Sequence, residues 1–206
     1  MLPGLVVGDN FFVIENDGKR HPPIRGDVMV FKLPCKYPQL EPQVAASMAA
    51  NCDPSIDFIK RVIGLPGDHV QIKGGMLYLN GIALRREPTG NYLFSDFPDR
   101  HTDFLQFEET MPDGRHYAIL KRQLSGEPLD DTEEFVVPSD HYFVLGDNRD
   151  NSADSRDHLS GIGYVPSELL VGKAAFIFAS TEKSSLQKHS SWLPVVRWSR
   201  IATIIN

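Results

Sequence analysis

Cysteine is almost missing from this chain: Cys35 and Cys52 are the only two in 206 residues. Neither has a CxxC partner, and the seven His form no helical i,i+4 pair, so no zinc ligand set is legible and no metal is expected. Long apolar runs are also missing. Nothing approaches the roughly 20 residues that cross a bilayer, and no signal peptide precedes the first expected strand, so the chain as written reads as soluble. Basic clustering is absent as well. The 21 Lys and Arg are scattered among 27 Asp and Glu, for a net charge of −6 and a pI near 5.6. That balance argues against a nucleic-acid partner, because neutralising phosphates needs a concentrated basic face.

What is present is a respectable apolar content, 41%, enough for one domain or for a core with an inserted module. The pattern is mainly β. Val6 to Ile14, Val28 to Leu33, Phe58 to Ile63, Val70 to Ile72, Met76 to Leu79, Ile82 to Leu84, Tyr117 to Leu120, Phe135 to Val137, Tyr142 to Leu145 and Ala174 to Phe178 are short runs bounded by Gly, Pro, Asn or Asp. Asn80-Gly81 is the strongest hairpin signal, since a type I′ turn needs positive φ at both central residues. Pro112-Asp113-Gly114 marks another turn. A short helix is patterned only at Gln43 to Ala50. From Arg85 to Thr110 and from Leu124 to Glu134 the chain is polar, and Phe94, Phe97, Phe104 and Phe107 there read either as a small core or as an exposed contact face.

Two segments carry chemistry. Gly146 to Arg156 packs three Asp, two Arg, two Asn and two Ser behind the apolar run Tyr142-Phe143-Val144-Leu145. Directional bonds between carboxylate and guanidinium hold a turn still, which serves a catalytic scaffold or a salt-bridged structural turn equally well. Asp57 to Asp68 reads as a strand ended by a Pro-Gly turn, with Phe58, Lys60 and Val62 on one face and Ile59, Arg61 and Ile63 on the other. Lys60 therefore stands between apolar neighbours. Either its ammonium snorkels to water, or it is desolvated and its pKa falls from about 10.4 toward neutrality, making it a proton acceptor.

With two more stretches these segments resemble the bacterial type I signal peptidases, Ser/Lys-dyad endopeptidases that remove signal peptides from exported proteins. Met1-Leu2-Pro3-Gly4-Leu5-Val6-Val7-Gly8-Asp9 resembles the end of the family's nucleophile box, Arg25 to Lys32 the next box, Asp57 to Asp68 the lysine box and Gly146 to Arg156 the last, in family order. The resemblance implies an antiparallel β catalytic core (1–68 and 142–180), an inserted second antiparallel β domain (69–141), a C-terminal tail (181–206) and few short helices. It implies Lys60 as general base and Ser152 as the hydroxyl that hydrogen-bonds it. Gly146, Asp147, Arg61, Asp154 and Arg156 would brace the site, with Gly146 keeping a Cβ away from the lysine. Met1, Leu5, Phe58 and Ile59, with Asp57 heading their strand, would form the substrate-binding wall that admits small residues in an Ala-x-Ala pattern. No cofactor is implied.

In that family the nucleophilic serine stands immediately before the methionine matched by Met1, so the 206 residues as written are expected to be inactive. The serine's absence reads as truncation, start assignment or a pseudoenzyme, and Gly4 departs from the family's usual Thr. The implied partners are signal peptides of exported preproteins and the inner membrane surface. The implied location is the periplasmic side of the bacterial inner membrane, with an anchor upstream of Met1. In an exported protein, Cys35 and Cys52 at the ends of the 36–51 insertion would form a disulfide; two free buried thiols are the alternative. The apolar tail around Trp192 to Trp198 lies either at the membrane interface or against the domain. Rival functions are a self-cleaving Ser/Lys repressor-type protease and a signal-peptide-binding pseudopeptidase. Ser180-Thr181-Glu182-Lys183 spells SxxK but lacks companion motifs.

Overall fold

The computed structural model describes residues 1–15, 22–33, 56–97, 100–157, 162–182 and 195–205. Cys35, Cys52, the 36–51 insertion with its expected helix, and Trp192 lie outside these residues. The described chain is mainly β, with helix confined to 3-10 turns at Arg149–Asn151, Ser167–Leu169 and Trp198–Arg200.

The strands are β1 (Asp9–Glu15), β2 (Val28–Lys32), β3 (Asp57–Gly64), β4 (His69–Lys73), β5 (Met76–Leu79), β6 (Ile82–Ala83), β7 (Arg85–Phe97), β8 (Arg100–Thr110), β9 (His116–Lys121), β10 (Phe135–Val136), β11 (His141–Leu145), β12 (Val165–Pro166), β13 (Leu170–Glu182) and β14 (Val195–Val196). A seven-stranded sheet runs β1-β13-β2-β3-β11-β12 with β14 added to β13; a four-stranded sheet runs β10-β4-β5-β6, and a three-stranded sheet β7-β8-β9. The named pairings are antiparallel throughout, including β2 with β3 and β3 with β11.

Alternation along β3 distributes its side chains among three apolar clusters. Val62 and Phe58 pack with Met29, Phe31 and Val144. Ile59 packs on Leu5, Val28 and Ile205. Ile63 joins Val70, Leu77, Phe107, Ile119 and Phe143 in the core that ties the large sheet to the two smaller ones. Burying side chains of this size contributes about 1.5–3 kcal/mol each, which anchors β3 on both faces.

Several expected boundaries move for local reasons. β1 starts at Asp9, not Val6, because Gly8 has φ of +94° and the Asp9 amide bonds back to the Val6 carbonyl, making residues 6–9 a turn. β13 extends to 13 residues because β1, β2 and β14 all pair with it. The polar stretch 85–110 forms the longest hairpin, in which Phe104 and Phe107 are buried while Leu93 is exposed.

Candidate active site

The register of the large sheet assembles the site. Leu145 pairs with Arg61 and Val144 with Val62, so the chain leaving β11 at Gly146 arrives beside Lys60. Lys60 is half-buried on the Phe58 and Val62 face. Desolvation pushes its ammonium below the ordinary lysine range; the Asp154 and Asp147 charges oppose that and Arg156 adds to it. Burial that disfavours the ammonium makes the amine a readier proton acceptor than an exposed lysine.

Gly146 is required by space. A Cβ there would lie 2.1 Å from Ser152 Oγ, 2.5 Å from Ser152 Cβ and 3.7 Å from Lys60 Nζ. The crowding is thus with Ser152, and the lysine would be at ordinary contact; the expectation that a Cβ would crowd Lys60 is corrected accordingly. Ser152 and Lys60 converge on this one hole. Ser152 Oγ is buried without a hydrogen-bond partner, so the expected bond to Lys60 is not formed in the structure.

The ion pairs form a rigid floor. Arg61 forks onto Asp147 through Nε (2.8 Å) and Nη2 (2.9 Å), donates from Nη1 to the Gly26 carbonyl (2.7 Å), and stacks 4.1 Å over the Tyr117 ring. Arg156 forks onto Asp154 at 2.8 Å through both nitrogens and donates to the Arg149 carbonyl, while the Gly146 amide donates to Asp154 Oδ2 at 3.1 Å. All four charged residues are buried. Bidentate pairing of this kind fixes orientation as well as charge.

Sequence reading missed the buried residues that the smaller sheets contribute. Glu109 on β8 accepts from both Arg149 terminal nitrogens and from the Tyr117 hydroxyl, and Lys121 on β9 donates to Asp130 and Asp150. The signal was alternation: Phe107 and Glu109 share one face of β8, and Tyr117, Ile119 and Lys121 share one face of β9, so each apolar face ends in a charge.

Of the expected substrate-facing residues, Met1, Leu5 and Ile59 meet in one cluster, Phe58 stacks on Phe31 across the sheet, and Asp57 is exposed opposite Lys32 at 3.8 Å. A cavity of about 190 Å³ opens where Met1, Gly4 and Leu5 face Arg61, Tyr117 and Asp147. A Cβ on Gly4 would meet only ordinary contacts, at 3.6 Å from the Met1 carbonyl oxygen and 3.8 Å from Asp147 Oδ2, so nothing in the packing requires glycine there. Ser180 of the SxxK string is occupied structurally, donating to Asp9 and accepting from Arg197; Lys183 lies outside the described residues.

The family model described as signal peptidase, peptidase S26, matches residues 1–179. The chain belongs to the signal peptidase family. It is 36% identical over 194 residues to a protein named signal peptidase I of Rickettsia typhi and 35% identical to its namesake in Rickettsia prowazekii, in each case over 87% of this chain and 64% of the relative. The chain therefore spans less than two thirds of the length of the curated relatives it matches. A crystal structure of a signal peptidase I from Enterococcus faecalis is 24% identical, with 74% of this chain and 97% of that one covered at a TM-score of 0.37. Among the described residues no helix is long and apolar enough to cross a membrane.

Proposed function

We propose that the protein carrying this chain is a membrane-associated serine endopeptidase that removes N-terminal signal peptides by cutting after small residues in an Ala-x-Ala pattern. The observation that carries this reading is Lys60, an amine disfavoured as a cation by burial, facing the Gly146 hole, with Met1 packed in the same cluster as its strand neighbour Ile59. The nucleophile is a serine hydroxyl on the residue preceding Met1. Neutral Lys60 takes its proton, the serine oxygen adds to the scissile carbonyl, and the resulting ammonium returns the proton to the departing amine. A water, deprotonated by the same lysine, then adds to the acyl ester and frees the serine. To Ser152, whose buried hydroxyl is unpaired and shares the Gly146 hole with Lys60 Nζ, we assign the role of orienting the lysine. Met1, Leu5, Phe58 and Ile59 form the shallow wall that excludes larger side chains from an extended substrate.

The residues 1–68 and 142–180 form the catalytic unit in this proposal, and 69–141 brace it through Glu109, Tyr117 and Lys121. Membrane association is supported by an outward apolar patch; the periplasmic side remains part of the proposal by family resemblance. Phe12 lies 4.9 Å from Phe176 and 4.7 Å from Phe178, ring to ring, and Ile14, Trp198 and Ile204 are exposed nearby. The tail thus divides its side chains: Ile205 enters the core and Trp198 does not.

The test is a chain extended upstream to include Ser-Met, assayed on an Ala-x-Ala peptide, with the 206 residues alone as the control lacking that hydroxyl. Cleavage that disappears in Lys60→Ala supports the proposal. An extended protein that binds the peptide without cutting it refutes the peptidase reading in favour of a binding module.

A further inference from the structure

Residues 1–8 belong to no strand, yet in the proposed reaction they directly follow the nucleophile and set its place. Their own backbone bonds are few: the Leu5 amide to the Met1 carbonyl and the Asp9 amide to the Val6 carbonyl. Strand β13 adds the Thr181 amide, which donates to the Gly8 carbonyl, and Leu5 packs on Val28, Ala174 and Ile177. Further restraint comes from the C-terminal segment 195–205, which lies beyond the residues matched by the family model.

That segment is itself tied down along β13. Arg197, Ala202 and Ile205 donate their amides to Ser180, Ile177 and Ala175, Ile177 donates to Thr203, and Ile205 packs on Leu5 and Val28. From this base two guanidiniums reach the turn. Arg197 Nη2 donates to the Val7 carbonyl at 2.7 Å. Arg200 Nη2 donates to the Gly4 carbonyl at 2.7 Å and to Asp9 Oδ2 at 2.6 Å, while its Nε donates to Asp9 Oδ1 at 2.9 Å. Asp9, whose side chain is 1% exposed, also accepts from the Val6 amide and the Ser180 hydroxyl. One fork therefore joins the start of β1 to a carbonyl three residues from Met1.

We propose that the C-terminal segment latches the nucleophile turn and that Arg200 is a positioning residue for the proposed cleavage. The inference rests on the peptidase reading, and it concerns geometry: β13 holds the turn at Gly8 and Asp9, and among the described residues Arg200 alone ties the Gly4 carbonyl, nearer the proposed hydroxyl, to Asp9. Displacing a reacting group by about 1 Å costs on the order of 10²-fold in rate.

The experiment uses the upstream-extended, full chain and the variants Arg200→Ala and Arg200→Lys, with two readouts. Steady-state cleavage, normalised to folded protein, is expected to show kcat lowered about 10- to 100-fold in Arg200→Ala with a smaller change in KM, and partial recovery in Arg200→Lys, which keeps the charge and loses the fork. Amide hydrogen exchange is expected to accelerate at least about tenfold at Val6 and Asp9 and to stay unchanged at Val144 in β11. A purely structural Arg200 would lower the folded fraction and leave kcat per folded molecule alone. Wild-type kcat together with wild-type protection of Val6 and Asp9 overturns the inference. Should Arg200→Ala not fold, Arg200→Lys carries the same comparison. If the extended chain cleaves nothing, the peptidase reading fails, and the exchange data still decide whether the latch exists.

Discussion

Replacing Gly146 by Ala adds one methyl group at a point 2.1 Å from Ser152 Oγ and 2.5 Å from Ser152 Cβ. Turning the hydroxyl to another rotamer relieves the first contact and leaves the second, because Cβ is fixed to the backbone. Carbon atoms pack at about 3.5–4.0 Å, so the segment bearing Ser152 must retreat by about 1 Å. The neighbouring pairs resist that movement: Asp154 receives the Gly146 amide and both Arg156 nitrogens, and all are buried. Overpacking of this size costs about 1–3 kcal/mol, measurable as a shift in the urea midpoint at constant slope. The same displacement of Ser152 from Lys60 lowers kcat of the extended enzyme by about 10²-fold. Adding Ser152→Gly removes both clashing atoms, so Gly146→Ala with Ser152→Gly regains stability while activity stays low for want of the hydroxyl. A Gly146→Ala protein with unaltered stability and kcat refutes this reasoning. Rescue of activity by the double substitution would show that the Ser152 hydroxyl has no part in the site.

Asp147→Ala strands the Arg61 guanidinium, which is buried and otherwise held by the Gly26 carbonyl and the Tyr117 face, so unfolding free energy should drop by about 3–5 kcal/mol in denaturant titration. Burial works against the Asp9 charge, yet the Arg200, Ser180 and Val6 hydrogen bonds hold its carboxyl below the usual range. Its stabilising contribution is therefore complete above about pH 4 and fades as pH falls through the lowered value. Asp9→Asn should flatten that acid limb in a pH series of thermal melts.

Much of this was legible in the chain because short-range chemistry decided it. Asn80-Gly81 has φ of 52° and 78°, as a type I′ turn demands, and β5 occupies Met76–Leu79 with the expected bounds. Lys60 sits on the Phe58 and Val62 face because strand alternation permits nothing else. The β7–β8 hairpin was hidden: its 13 and 11 residues are mixed in polarity, and the register shifts near Pro88 and Ser95 interrupt the period-2 signal. Glu109 and Lys121 were hidden for another reason. A charge is recognisable as buried only once its partner is known, and Arg149 and Asp150 lie 40 and 29 residues away in sequence. The roles of Arg197 and Arg200 are longer-range still, 190 and 191 residues from Val7 and Asp9.

The most direct measurement is a titration of the Lys60 Nζ resonance, by nitrogen-detected NMR on selectively labelled, upstream-extended protein. The structure predicts a pKa below the ordinary lysine value of about 10.4, falling further in Asp154→Asn, since Asp154 is the largest charge that opposes the depression. A nitrogen that titrates like free lysine and ignores Asp154 would contradict the account at its centre.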